Sequence, residues 1–147
     1  MQRSIGYTLI ELMVVLAIVG LLAALAFPVL QQYVVKGKRA QAQAALMQLM
    51  QQQEYYHTQN GSYLVFSEKS PVASPFKWWS GTNPEHSAYE IEAGRCPELA
   101  LSQCVLLTAR PGTGQVDPDF KDADCDMLTL DSVGRRGASG PAQRCWP

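Results

Sequence analysis

Four sets of side chains in this chain of 147 residues carry chemistry by type and spacing. Cys96, Cys104, Cys125 and Cys145 can pair as disulfides or hold a metal. Asp117, Asp119, Asp122, Asp124 and Asp126 fall within ten residues, and clustered carboxylates are the ligands calcium takes. Arg135, Arg136 and Arg144 stand near Trp146, with Lys121 upstream. Cations beside an aromatic ring suit a phosphate backbone and a stacked base. Glu11 opens a long apolar run, where a carboxylate at mid-membrane costs roughly 2.5–3.5 kcal/mol and therefore needs a partner.

Each set has a plainer reading. The aspartates lack the Gly and the closing Glu of an EF-hand, so a solvated acidic loop competes with calcium held by Asp117, Asp119, Asp122 and Asp124. The arginines equally suit a solvated turn. The cysteines are even in number and all follow the apolar run, which favours two disulfides in an oxidising compartment. Three connectivities exist; Cys96–Cys104 and Cys125–Cys145 close the shorter loops and fit the turns. A zinc site is disfavoured because the spacings Cys-x7-Cys and Cys-x19-Cys lack a close ligand pair. His57 and His86 stand apart from any Cys or acid pair, and His57 reads as an exposed or capping residue at a helix end. There is no phosphate loop and no nucleophile elbow, so neither an enzyme nor a cofactor is expected.

The elements that position these groups follow from composition and periodicity. The chain is 47% apolar and 17% charged, with a net charge of −1 and a pI near 6.1. That excludes a disordered tail and a wholly basic nucleic-acid binder. A mean hydropathy of −0.08 conceals an uneven distribution. From Leu12 to Leu30 run 19 residues without a charge, interrupted among apolar side chains by Gly20 and Pro28. About 20 such residues span a bilayer as a helix. Lys36, Lys38 and Arg39 follow and are expected at a water interface.

Two readings of this N-terminus compete. A secretory signal would end at Ala24-Leu25-Ala26, but it leaves Glu11 unexplained. Gly6-Tyr7-Thr8-Leu9-Ile10-Glu11 instead resembles the processing site of type IV prepilins: a short basic leader ending in Gly, an aromatic residue, then a Glu and an apolar helix. Tyr7 stands where that family usually has Phe. The resemblance implies cleavage by a prepilin peptidase between Gly6 and Tyr7, N-methylation of Tyr7, and a helix locally weakened at Gly20 and Pro28. It also implies the type IV pilin fold. Physical chemistry gives Glu11 a role there, because cleavage leaves a cationic amine at Tyr7. In a stack of staggered helices, one subunit's Glu11 can pair with another's amine, and a buried charge is tolerable when paired.

Beyond the membrane segment, Val35, Ala42, Leu46, Leu49 and Tyr56 form one apolar stripe, with most glutamines off it. The helix is expected to run unbroken to about Gln59, where Asn60-Gly61 stops it. Some 52 residues at 1.5 Å each give roughly 78 Å. Residues 60–86 read as a loop that contains Trp78 and Trp79, either packed on the sheet or exposed to a partner. Ala88–Ala93, Cys104–Arg110 and Met127–Val133 read as strands, with turns at Gly112/Gly114 and Gly134/Gly137. The fold class is α+β: a long helix and a small antiparallel sheet, closed by a C-terminal disulfide loop. The expected division is a leader at 1–6, a helix at 7–59 (membrane or filament core at 7–35, amphipathic at 36–59) and a globular head at 60–147.

The stretch from Cys125 to Asp131, with Gly134 and Cys145-Trp146, resembles the C-terminal region of PilE-type minor pilins. The resemblances together imply a minor pilin that assembles into or primes the pilus filament for motility, adhesion or DNA uptake, held first in the inner membrane with its head outside and then carried into the extracellular pilus. Its partners would be other pilins, the peptidase and the inner-membrane assembly platform. A DNA-binding minor pilin and a type II secretion pseudopilin are the alternatives.

Overall fold

A computed structural model describes residues 7–70 and 74–147. The chain divides into two units at Lys36/Gly37. Helix α1 spans Leu9–Asn60 and is helical through both Gly20 and Pro28. Its first part is long and apolar enough to cross a membrane, with a mean hydropathy of 2.8 over the most apolar window. Leu9, Leu12, Leu16, Leu22 and Leu25 all lie exposed. Surface of that kind in a folded chain marks lipid or partner contact.

The rest of α1 belongs to the second unit. Ala42, Leu46 and Leu49 are buried, as the apolar stripe predicts. The same helical face carries two polar residues that the stripe did not include. Arg39 and Gln53 are both buried, so the interface expected for Arg39 is a core position instead. Gln53 replaces ladder partners for the loop: its amide donates to the Leu64 carbonyl at 2.6 Å and accepts from the Leu64 N–H at 3.0 Å. Asn60 ends the helix. Gly61 follows at φ 71°, the left-handed conformation that glycine adopts without a Cβ penalty.

The sheet is an antiparallel meander of four strands, in the order β1 (Tyr89–Arg95), β2 (Val105–Pro111), β3 (Leu128–Asp131) and β4 (Arg136–Ala138). Alternation fixes its inner face. Tyr89, Ile91 and Ala93 of β1 are buried, with Glu90 and Glu92 on the other side. The most apolar segment, β2, is central, as its composition predicts. The fourth strand was not expected. It is three residues long with Gly137 at its middle, and the segment reads as a turn; pairing with Leu128–Leu130 makes it a strand.

The described stretches 62–70 and 74–80 are more than loops. Phe66 pairs with Ala93 and Trp79 with Glu90 in isolated antiparallel bridges. At these two points they cover the free edge of β1, which would otherwise offer unpaired backbone groups to another chain. A short 3-10 turn, Pro84–His86, follows. Phe66 and Phe76 enter the core, and Trp78 packs against it. The half-buried Trp79 lies edge-on to Trp78, centroids 5.1 Å apart, and its buried indole N–H meets no partner among the described residues. The two rings thus answer mostly to the packed reading.

Candidate functional site

Most of the sequence-predicted site residues fall at the start of α1, along the C-terminal basic edge and in the aspartate-rich segment before β3. At the first, Thr8 precedes the helix. Its N–H donates to Glu11 Oε2 at 3.2 Å and its hydroxyl to the same oxygen at 3.3 Å, while the Glu11 N–H donates back to Thr8 Oγ1 at 3.3 Å. This is a reciprocal capping box, which satisfies orphan N–H groups of the first turn. Within its own chain, then, Glu11 already has a task. Tyr7 is 89% exposed. The predicted cleavage residue Gly6 lies outside the described residues.

The head holds two disulfides, Cys96–Cys104 between β1 and β2 and Cys125–Cys145 at the C-terminal edge. The second ties the end of the chain to the segment before β3. It places Trp146 beside β4, where the indole N–H donates to the Gly137 carbonyl at 2.8 Å. The Arg136 guanidinium lies 5.5 Å from the centre of the Trp146 ring, within cation–π range. It also donates to the Pro147 carbonyl at 3.4 Å. Arg135 is drawn to Asp131, Nε to Oδ2 at 2.5 Å, yet its side chain remains 70% exposed. Arg144 is exposed. The structure thus brings Arg136 and Trp146 together and sets Arg135 next in the chain. Trp146 is half-buried against the core.

The aspartate cluster does not act as one set. Asp122 is buried and fully engaged. Its Oδ2 accepts from Arg39 Nε at 2.7 Å and from the Tyr89 hydroxyl at 2.5 Å; its Oδ1 accepts from an Arg39 NH2 at 2.5 Å and from the Cys125 N–H at 3.1 Å. Burial would push the Asp122 carboxyl up, but the Arg39, Tyr89 and Cys125 donors outweigh it and hold it below its ordinary range. Burial and then the adjacent carboxylate push the Tyr89 hydroxyl up, and the hydrogen bonds to Asp122 hold the Arg39 guanidinium above its usual value. The calcium expectation fails at Asp122 because its oxygens are spent on these donors. Asp124 lies 3.4 Å from Arg39 with an exposed side chain, and Asp117 accepts from the Asp119 N–H at 3.1 Å. Among the described residues, Cys96, Cys104 and Asp131 do cluster, but both sulfurs are consumed in a disulfide.

His57 is no free cap: its Nε2 lies 3.0 Å from the Ser102 carbonyl and its ring stacks on Tyr63 at 4.3 Å. Sequence reasoning missed Arg39 as the buried partner of Asp122. The available signal was its phase: Arg39 falls three residues before Ala42, on the buried stripe.

An apolar helix that opens on a capped Glu and carries a disulfide-closed antiparallel head is the build of a type IV pilin. The prokaryotic N-terminal methylation motif matches residues 1–27. The chain belongs to the family described as type IV minor pilin ComP, DNA uptake sequence receptor, whose model matches residues 28–129. That match ends before β4, so the Arg136–Trp146 pair lies outside it. The chain is 41% identical over 73 residues to the type IV major pilin protein PilE1 of Neisseria gonorrhoeae, covering 48% of this chain and 42% of that one. It is 36% identical over 67 residues to the type IV major pilin protein PilA of Myxococcus xanthus, covering 46% of this chain and 30% of that one. The chain thus spans less than half the length of these curated relatives. A solved type IV pilin from Shewanella oneidensis aligns at 25% identity and a TM-score of 0.45, covering 77% of this chain and 98% of that one.

Proposed function

We propose that this chain is a minor pilin that enters or primes a type IV pilus and contacts DNA through its C-terminal edge. The observation that carries the DNA contact is the Arg136 guanidinium held over the Trp146 ring beside the exposed Arg135. A guanidinium oriented by an aromatic face offers its donors to a phosphate with little ordering left to do. Membership of a family described as a DNA uptake sequence receptor supports DNA contact by this chain, while the choice of the C-terminal edge rests on the Arg136–Trp146 geometry alone, since the family match ends at residue 129. The pilus would serve DNA uptake on this reading, and motility or adhesion if DNA contact fails.

The test is binding of the processed full-length chain, in detergent, to a fluorescein-labelled duplex across a salt series. Arg136→Ala is expected to weaken binding and to lower the slope of log affinity against log salt by about one phosphate contact. An unchanged affinity and slope would sink the DNA contact at this edge.

Assembly is the second part of the proposal. Cleavage after Gly6, methylation of Tyr7 and anchoring in the inner membrane would precede filament entry at the assembly platform. Glu11 would then leave its capping contact for a neighbour's Tyr7 amine, with Gly20 and Pro28 marking where the packed helix loosens. Glu11→Ala is expected to be processed normally and to be depleted from sheared pili. Glu11→Gln separates the two roles of this side chain, since it keeps the capping geometry and removes the charge. Entry of the Gln variant at the wild-type level would show that capping, not charge pairing, is what assembly needs.

A further inference from the structure

The peptide group that carries Trp146 is held from the helix. Gln43, half-buried on α1, donates its side-chain amide to the Cys145 carbonyl at 2.5 Å. That carbonyl belongs to the Cys145–Trp146 peptide bond, so the contact fixes the plane from which the indole departs. The other end of the same ring is fixed by the Gly137 carbonyl. One turn earlier on the same helix, Arg39 grips Asp122, whose Oδ1 accepts the Cys125 N–H, and Cys125 is bonded to Cys145. The helix thus reaches the C-terminal loop twice, at residues four apart on one face. The Asp122 contact secures the loop as a whole. The Gln43 contact acts on the single peptide that aims Trp146, and through Trp146 on the Arg136 guanidinium at 5.5 Å.

We propose that Gln43 is a positioning residue for the Arg136–Trp146 contact, setting the indole's orientation through the Cys145 carbonyl without touching DNA itself. This rests on the DNA-contact reading above. Groups that must present a donor at a defined angle depend on second contacts that lock their rotamers. Loss of the Gln43 donor leaves the Cys145 carbonyl without this partner and frees the peptide to rotate.

The experiment uses the full-length chain in detergent with the same labelled duplex. It compares wild type, Gln43→Leu, Gln43→Asn and Arg136→Ala, with the tryptophans replaced by 5-fluorotryptophan. The chain has three tryptophans, hence three fluorine resonances, and Trp146→Phe assigns the one needed. Gln43→Leu removes the donor at similar volume. Gln43→Asn keeps an amide but withdraws it by one methylene, and it carries the test if the Leu variant does not fold. The expected result is an affinity loss of about three- to tenfold, the worth of one hydrogen bond. The salt slope stays at the wild-type value, the Trp146 resonance moves, and the Trp78 and Trp79 resonances do not. A purely structural role would instead lower the melting temperature and move all three resonances, and that pattern overturns the proposal. So does an affinity loss with the Trp146 resonance unmoved, or an affinity equal to wild type while Arg136→Ala binds weakly. If Arg136→Ala also binds as wild type, the DNA-contact reading has failed and the positioning role falls with it.

Discussion

Arg39→Met is expected to destabilise the head by about 3–5 kcal/mol, the cost of leaving a buried charge without its partner. Asp122 has a fully buried side chain, and Arg39 supplies two of its four donors. Without the guanidinium, the Tyr89 hydroxyl and the Cys125 N–H must stabilise the carboxylate alone. Denaturant titration of the folded head by near-ultraviolet circular dichroism measures the loss. A shift of under about 1 kcal/mol would mean that the pair is hydrated or dispensable. Adding Asp122→Leu and Tyr89→Phe should recover much of the loss, because a matched apolar replacement of a buried pair is often neutral. The pH dependence has a definite sign. The folded carboxyl of Asp122 is held below the ordinary range. Its contribution is therefore full above the unfolded value of about 3.9 and is lost as pH falls through the lower folded value. The wild-type chain should weaken below about pH 4 more steeply than the triple variant.

Removing the Cys125–Cys145 bond is expected to cost about 3 kcal/mol, from the unfolded-chain entropy that a loop of this length releases. The residues bonded are 20 apart. Binding should fall with stability, because Cys145 is the residue that delivers Trp146 to β4. The Cys96–Cys104 bond joins residues eight apart and is the control. Its loss should cost slightly less, about 2.5 kcal/mol, and leave DNA affinity untouched where the chain stays folded. Paired Cys→Ala variants, titrated with denaturant and with labelled duplex, separate the two effects. If the Cys125/Cys145 variant binds DNA as wild type, Trp146 is not part of the contact.

Much of the architecture was legible because it is local. The 3.6-residue stripe of Ala42, Leu46 and Leu49 needs no partner to be seen, and neither does the alternation of Tyr89, Ile91 and Ala93. Thr8 and Glu11 stand three apart, the spacing of a capping box, yet the sequence reading pairs Glu11 only with a neighbour's amine, and the structure supplies the capping contact. What was illegible joins distant residues. Arg39 and Asp122 are 83 apart, and Gln43 and Cys145 are 102 apart. A buried Arg or Gln carries the same letter as an exposed one; burial is decided by whether the fold brings a matching donor or acceptor. Strand β4 was missed for a related reason, since three residues around a glycine have little strand preference until β3 lies beside them.

By itself the sequence determined the apolar anchor, the Glu at its head, the amphipathic continuation of the helix and three of the four strands. Each is set by periodicity or by groups within one helical turn. The cysteine pairing favoured from loop length, Cys96–Cys104 and Cys125–Cys145, is the one the structure forms, out of three connectivities the sequence left open. The tertiary structure alone turned an aspartate from a cation-ligand candidate into the acceptor of a buried arginine, and set Arg136 over Trp146. These outcomes depend on long loops closing against a common core. The free energy of that closure lies in packing and paired charge across the whole head, and no window along the chain contains it.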